Sequence, residues 1–277
     1  PGNLTYFPEY LQEAGYQTAF FGKWHMGDDS DDPQPGFHHW ESFKGQGVYT
    51  GVTLNINGEH TSYEDTVYTS DLLTEHAVEW MEQLESDQPF FVYLSHKAVH
   101  SQCKQAARHA GMYAGVDYEL PATYSQTQDD SYKDLLWPEW VKQQRHSWHG
   151  VDYMYHGKGA VGDLVIDYCE TLMGVDESIG TVMAYLEARG IADETVVIYM
   201  GDNGFSWGEH GLIDKRHFYE ESAICGRTFP RHNVKCLPAK TCTLQSPGLK
   251  CAEINFSPKS CNSAIVSRCP SVEGDCT

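Results

Sequence analysis

The sequence predicts an α/β protein with a mostly parallel central sheet. Three apolar runs of strand length alternate with segments of helical periodicity, and each run ends in a loop with polar side chains. Strands that alternate with helices over such lengths are typical of βαβ units, whose strands pair in parallel. The 277 residues contain 40% hydrophobic side chains, enough to form one sizeable core.

The regular elements follow one another along the first 200 residues. Apolar residues at helical spacing predict helices over 4–14, 69–84 and 163–189. Short continuous apolar runs predict strands over 18–22, 90–95 and 194–200. Gly15 and Gly190 suit the position just after a helix end, where a left-handed backbone is common.

Two segments carry no clear periodicity. Residues 28–36 combine clustered acids with two prolines, and we predict a loop there. Residues 101–160 are rich in Tyr, His, Gln and Asp, and we interpret them as a long excursion with local helices that shapes a substrate pocket. Gly45, Gln46 and Gly47 would contribute to the same cleft. No apolar run has the length of a membrane span.

Charge and cysteine divide the chain near residue 222. The net charge is −20, yet residues 225–277 hold seven Lys or Arg against three Asp or Glu, and seven of the nine cysteines. We therefore predict one domain over 1–222 and a Cys-rich divergent tail over 223–277 outside its fold. A disulfide-bearing appendage is one interpretation of the tail, although its odd cysteine count disfavours that. We favour a frame-shifted or misjoined end.

Reactive side chains follow each predicted strand. Lys23 and His25 come after the first, His100 after the second, and Asp202 and Asn203 after the third. Parallel strands end at one edge of the sheet, where open α/β proteins bind ligands, so we expect these residues to share a site. A cation beside an imidazole suits sulfate or phosphate. A surface strand end with a solvated lysine is the alternative.

Lys215 adds a sixth side chain to this site, and two of the others could bind a metal. Lys215 would be a second cation for a tetrahedral anion, unless it is a solvated lysine paired with Asp214 or Glu220. Asp202 and Asn203 offer hard oxygen donors that suit Ca²⁺ or Mg²⁺, although Asp-Asn-Gly is also a common turn. Calcium takes about six to eight ligands, so the others would come from elsewhere.

The histidines divide into two groups. His100 lies where an imidazole could protonate a leaving oxygen near neutral pH. We interpret five others as surface or packing residues: His38, His39, His146, His149 and His156. The strongly negative charge of the chain argues against nucleic acid as a partner.

The segments that carry these residues resemble the sulfatase family in sequence, order and spacing. They are LQEAGYQTAFFGKWHMG, PFFVYLSHKAVH, MGVDESIGTVMAYLE, VVIYMGDNG and GEHGLIDKR. The resemblance covers residues 1–222, about four-fifths of the chain. It implies an alkaline-phosphatase-like α/β/α sandwich, truncated here, and the hydrolysis of sulfate esters.

The resemblance also implies a role for each candidate residue. Lys23 and Lys215 would bind the sulfate, and His25 would hold and help deprotonate a formylglycine hydrate. His100 would face the ester oxygen and supply the acid for the leaving alcohol. Asp202 and Asn203 would be metal ligands, for Ca²⁺ in the first place and Mg²⁺ as the alternative.

Three departures from the family pattern stand out. The Cys- or Ser-x-Pro-x-Arg motif that yields the formylglycine, and the aspartates that complete the calcium site, would precede Lys23, and we expect the chain to start after them. Val99 stands where many relatives have proline, a position that shapes the loop and does no chemistry. The resemblance stops after 219–222.

We therefore interpret the chain as part of a sulfatase whose parent cleaves sulfate esters on a carbohydrate or another sulfated small molecule. We expect little or no activity from these residues by themselves. Two alternatives stay open: a phosphatase or phosphodiesterase of the same superfamily, with a metal-bound Ser or Thr nucleophile, and a non-catalytic product that binds sulfated glycans. The resemblance implies an extracytoplasmic location: periplasmic, secreted or lysosomal.

Overall fold

The computed structural model describes residues 5–26, 30–125, 138–154 and 159–223, and the backbone of three short strands in the tail. The helices are α1 (Phe7–Glu13), α2 (Thr69–Glu82), α3 (Glu139–Gln143), α4 (Val161–Ala188) and α5 (Glu220–Ala223). The strands before the tail are β1 (Gln17–Gly22), β2 (His39–Ser42), β3 (Thr53–Ile56), β4 (Glu59–Ser62), β5 (Phe90–Ser95), β6 (Thr195–Met200), β7 (Ser206–Trp207) and β8 (Ile213–Asp214). The tail strands are β9 (Gln245–Ser246), β10 (Leu249–Lys250) and β11 (Ser263–Arg268).

The central sheet has the strand order β4-β3-β2-β1-β5-β11-β6. Strand β1 pairs in parallel with both β2 and β5. Strand β11 pairs antiparallel with β5 on one side and with β6 on the other, so β5 and β6 run in the same direction. The hairpin of β3 and β4 extends one edge. The predicted α/β class with a mainly parallel sheet is confirmed.

Helices cover both faces of this sheet. The ring of Phe91 in β5 packs edge-on against Phe7 of α1, with 5.3 Å between the ring centroids. Its neighbours Val92 and Leu94 belong to a buried cluster with Leu73 of α2. Successive strand residues point to opposite faces, so α1 and α2 lie on opposite sides. Helix α4 packs against α2, which gives the three layers expected of an α/β/α sandwich.

The six elements predicted from periodicity are confirmed, with shifts of a few residues at their ends. Strand β5 has the predicted bounds, β1 begins one residue earlier than predicted, and α4 begins two residues earlier. The described part of 101–160 contains turns and short helices, as predicted. Residues 1–4, 27–29, 126–137 and 155–158, and with them His156, lie outside the described residues.

The sequence analysis missed strands β2, β3 and β4. Each has four residues, and β4 is exposed along its whole length, so neither a long apolar run nor an alternating pattern marks them. Their pairing comes from the neighbouring strands. Such tertiary pairing is invisible to a local pattern.

The tail contributes to the sheet. Strand β11 lies between β5 and β6, whereas the sequence analysis placed the whole tail outside the domain fold. All six residues of β11 pair along the backbone with both neighbouring strands. The division at residue 222 stays a prediction, and the tail cysteines lie outside the described residues. Within the part of the chain that is described, no helix is long and apolar enough to cross a membrane.

Candidate functional site

The ends of three strands form one line across the sheet. Gly22 at the end of β1 lies opposite Ser95 at the end of β5. Ser263 of β11 lies opposite both Ser95 and Met200, the last residue of β6. The loops that carry the predicted site residues therefore leave the sheet at the same edge, as ligand-binding loops do in open α/β sheets.

The main chain at Lys23 is fixed by its neighbouring strand. The Lys23 amide donates a hydrogen bond to the Ser95 carbonyl at 2.8 Å, and the Ser95 hydroxyl donates to the Lys23 carbonyl at 2.9 Å. The preceding Gly22 has φ +108°, and a Cβ there would lie 1.9 Å from the Ser95 carbonyl oxygen. Only glycine fits this turn without displacing β5.

Lys23 lies in an environment with few counter-charges. Burial lowers its pKa, the positive charge of Lys215 lowers it further, and the carboxylate of Asp202 opposes both effects. These interactions place side chains from three separate loops within electrostatic reach of one another. A partly desolvated cation next to a second cation attracts an anion that can neutralise both.

His100 has a defined tautomer. Its Nδ1 lies 2.7 Å from the Ser101 carbonyl oxygen, which can only accept, so Nδ1 carries the proton and the neutral ring keeps a lone pair on Nε2. Burial lowers the pKa of His100 to about 4, and the charges of Lys23, Lys215 and Lys97 contribute, against the raising effect of the Ser101 hydrogen bond. The imidazole of His100 is therefore neutral at pH 7.

Four of the six predicted residues line one cavity of about 110 Å³: His100, Asp202, Asn203 and Lys215. The cavity also has an apolar wall in which the ring of Trp207 packs against Phe205 and Tyr168, with centroid separations of 4.4 and 4.6 Å. A pocket with charged groups on one side and aromatic rings on the other suits a polar ligand with an apolar face.

The turn that presents Lys215 is organised by Asp214. The Asp214 carboxylate is buried, accepts a hydrogen bond from the Lys215 amide at 2.7 Å and pairs with the guanidinium of Arg216. It also lies 2.5 Å from Nδ1 of His149. Among the described residues, the ammonium of Lys215 makes no ion pair, so the alternative in which Asp214 or Glu220 neutralises it is not what the structure shows.

His25 lies beside a different loop. Its backbone is left-handed, with φ +48°, and the amide of Gln46 lies 3.1 Å from its Nε2. It follows Lys23 by two residues but is not among the residues that line the cavity of His100 and Lys215. Gln46 was expected in the cleft, and its contact with His25 fixes that ring.

The possible metal ligands form an incomplete set. The Asn203 side-chain amide donates to the Gly204 carbonyl at 2.7 Å, which leaves its oxygen as an acceptor beside Asp202. Asp214 lines the same cavity, but Arg216 and the Lys215 amide already engage its carboxylate. Across the described ranges, no group of three or more His, Cys, Asp or Glu side chains could hold a metal ion. Two oxygens do not make a calcium site.

Sequence reasoning missed two residues around the site, His149 and Lys97. His149, interpreted from the sequence as an ordinary residue, contacts Asp214. Lys97 is 7% exposed, and its charge contributes to lowering the pKa of His100. Only its place in the strand-end segment HKAVH could have indicated it.

The comparisons with known proteins decide the family. The family model described as Sulfatase matches residues 1–234. The chain belongs to the sulfatase family. The family resemblance and the fold expected from it are thus confirmed, and relatives of this chain are named sulfatases, which are sulfuric ester hydrolases.

Two curated sulfatases and one solved structure show the extent of the similarity. The N-acetylglucosamine-6-O-sulfatase of Bacteroides thetaiotaomicron is 30% identical over 271 residues, covering 79% of this chain and 48% of that sulfatase. The extracellular sulfatase SULF-1 homolog of Drosophila melanogaster is 23% identical over 218 residues. The match covers 76% of this chain and 19% of the Drosophila protein. The structure of BT4656 in complex with its substrate D-glucosamine-2-N,6-O-disulfate has a TM-score of 0.63 and 28% identity, covering 81% of this chain and 55% of that one. The chain thus spans about half the length of the first sulfatase.

Proposed function

We propose that this chain forms part of the catalytic domain of a sulfatase that acts on a sulfated amino sugar. The observation that carries the proposal is the gathering of Lys23, Lys215 and His100 at one sheet edge in a chain with a net charge of −20. The matched N-acetylglucosamine-6-O-sulfatase and the glucosamine disulfate bound by BT4656 support the substrate class.

The two lysines would bind and orient the sulfate group. Lys215 lines the pocket, and Lys23 lies within electrostatic range of it. Positive charge fixed in advance would stabilise the negative charge of a transferring sulfuryl group. His100 would face the ester oxygen with Nε2, and Trp207 and Phe205 would pack against the sugar. The proposed role of His25, toward a formylglycine hydrate, rests on the family resemblance.

Hydrolysis by the protein expressed from its full coding sequence tests the proposal. We expect release of sulfate from N-acetylglucosamine 6-sulfate and a large loss of that activity in Lys215→Met. Lys142→Met is the control, because Lys142 pairs with Glu139 on the surface. Faster hydrolysis of N-acetylglucosamine 6-phosphate would favour the phosphatase alternative, and binding of the sulfated sugar without turnover would favour the glycan-binding alternative.

Sulfate binding should raise the pKa of His100. The pKa of about 4 reflects burial and three nearby positive charges, and an anion between those charges offsets them. We expect an upward shift of about one unit or more when ¹⁵N-labelled chain is titrated in NMR with and without sodium sulfate, with His100→Gln to assign the signal. Sodium chloride at equal ionic strength is the control. A pKa that stays constant or falls would contradict the assignment of His100 to the anion site.

Asp202 and Asn203 are proposed as two ligands of a calcium site that other carboxylates would complete. In the full-length protein we expect Ca²⁺ to raise the melting temperature, because an ion that binds only the native state stabilises it. Asp202→Asn should weaken Ca²⁺ binding at least about tenfold in calorimetry, since it removes a charged ligand. Asp193→Asn is the control, because Asp193 is exposed on a short 3₁₀ helix. Equal Ca²⁺ affinity in both variants would exclude Asp202 as a ligand.

The partner and the location are proposed from relatives. A sulfated glycan is the expected partner, and an extracytoplasmic site of action agrees with the name of the Drosophila relative, an extracellular sulfatase. Microscopy of a tagged copy of the full-length protein tests the location. We expect the protein to be secreted or delivered to lysosomes.

A further inference from the structure

A second cavity continues from the first one. It measures about 790 Å³, and it shares the wall residues Ser101 and Cys103 with the cavity of His100 and Lys215. Lys97 and Lys104 are the charged side chains among its described lining residues, which include no carboxylate. In a chain with twice as many acids as bases, a cleft region with two lysines and no acid indicates an anionic ligand.

Lys97 is the more buried of the two lysines in this region. Only 7% of the residue is exposed, and its ammonium lies 4.8 Å from the centroid of the Tyr49 ring. Among the described residues, no carboxylate forms an ion pair with it, and Lys23 is a nearby like charge. Burial and that charge lower the pKa of Lys97 to about 8. A buried cation without a counter-ion is costly, and binding an anion relieves the cost.

The surrounding contacts hold the region in shape. The hydroxyl of Tyr49 donates a hydrogen bond to the His100 carbonyl at 2.5 Å, and the His100 amide donates to the Lys97 carbonyl at 2.9 Å. Lys104, which is exposed, donates to the Thr50 hydroxyl at 3.3 Å. The same short segment therefore carries His100 into the first cavity and Lys97 into the second.

We propose that Lys97 and Lys104 bind a second anionic group of the substrate, a sulfate or a carboxylate, beside the site that holds the scissile sulfate. The inference rests on the proposed function and narrows it to doubly charged sugars. The two cavities meet at Ser101 and Cys103, so one sugar or disaccharide can place an anion in each. Contacts with a charged group are stronger than neutral ones, and we expect the second group to tighten binding about tenfold.

Calorimetry with three defined ligands at pH 7 tests the inference on the 277-residue chain. The ligands are glucosamine 6-sulfate, glucosamine 2-N,6-O-disulfate, and a disaccharide of glucosamine 6-sulfate with a uronic acid. The disulfate or the uronic acid disaccharide should bind about tenfold more tightly than the monosulfate. Whichever of these two ligands has the higher affinity identifies the second anion as a sulfate or a carboxylate. Lys97→Met should remove most of that preference, and Lys97→Arg should keep it.

Two controls separate this inference from the proposed function. Lys23→Met should weaken the binding of all three ligands, whereas Lys142→Met should leave the affinity for each of them unchanged. Equal affinity of the wild-type chain for all three ligands, or an equal loss for all three in Lys97→Met, would overturn the second site and leave the sulfatase proposal standing. Failure of every ligand to bind would overturn both. Melting curves establish that each variant is folded, and Lys104→Met provides a second test if Lys97→Met does not fold.

Discussion

Lys215→Met should weaken the binding of a monosulfated sugar by about a hundredfold. Lys215 lines the cavity of His100 and is one of the two cations proposed to bind the sulfate, and charge-assisted contacts contribute about 1.5 to 3 kcal/mol each. Methionine keeps most of the length of the side chain and removes the charge. The affinity of the chain for glucosamine 6-sulfate, measured by calorimetry, gives the effect directly.

Matched variants isolate the cause of that loss. Lys215→Arg keeps the charge but changes its geometry, and we expect an intermediate loss, because arginine and lysine do not place their donors alike. Lys142→Met removes a lysine that pairs with Glu139 and lines none of the described cavities, so affinity should stay constant. A change of less than about twofold in Lys215→Met, below half a kcal/mol, would remove Lys215 from the anion site.

Gly22→Ala should lower the free energy of unfolding by about 3 kcal/mol, because it combines backbone strain with a clash. The new Cβ would lie 1.9 Å from the carbonyl oxygen of Ser95 and 3.2 Å from a methyl group of Leu73. The clashing atom belongs to the main chain of β5, which cannot move without breaking its hydrogen bond with Lys23. Urea denaturation of both proteins measures the difference.

Gly58→Ala is the control for Gly22→Ala. Gly58 also has a left-handed backbone, with φ +99°, but a Cβ there meets nothing within 4 Å. Gly58→Ala should lower the free energy of unfolding by about 1 kcal/mol, because an alanine is strained in this backbone conformation. If the two substitutions destabilise the protein equally, the close approach of β1 to β5 does not hold the Lys23 turn, and the account of that turn is wrong.

Periodicity predicted the elements that bury a continuous apolar surface. Helix α4 and strand β5 each present such a pattern, and both were found close to their actual bounds. Strands β2 to β4 escaped because they are short and owe their conformation to the strands they join. Strand β11 lies far along the chain from its partners, and a local pattern carries no information about such pairing.

Strand direction alone was enough to predict that the loops after the parallel strands lie together. Loops after parallel strands open at one edge, so Lys23, His100 and Asp202 could be grouped before any coordinates were known. Lys97 and His149 could not be found this way, because their importance depends on burial and on contacts across the fold. A sequence shows that a lysine is present but not whether a carboxylate neutralises it.

An acidic protein must gather its basic residues locally wherever an anion binds. The chain carries its excess of carboxylates elsewhere and brings cations from three loops to the ends of its parallel strands. The hydrogen bonds from the Lys23 amide to the Ser95 carbonyl and from the Lys215 amide to the Asp214 carboxylate hold two of these loops, and desolvation strengthens the field of the lysines.

A crystal structure of this chain grown in the presence of inorganic sulfate tests the central claim most directly. The account predicts one sulfate within about 3 Å of the ammonium groups of Lys23 and Lys215 and of Nε2 of His100, the usual length of a charge-assisted hydrogen bond. A structure in which the two lysines face different regions of solvent, with no anion between them, would contradict it.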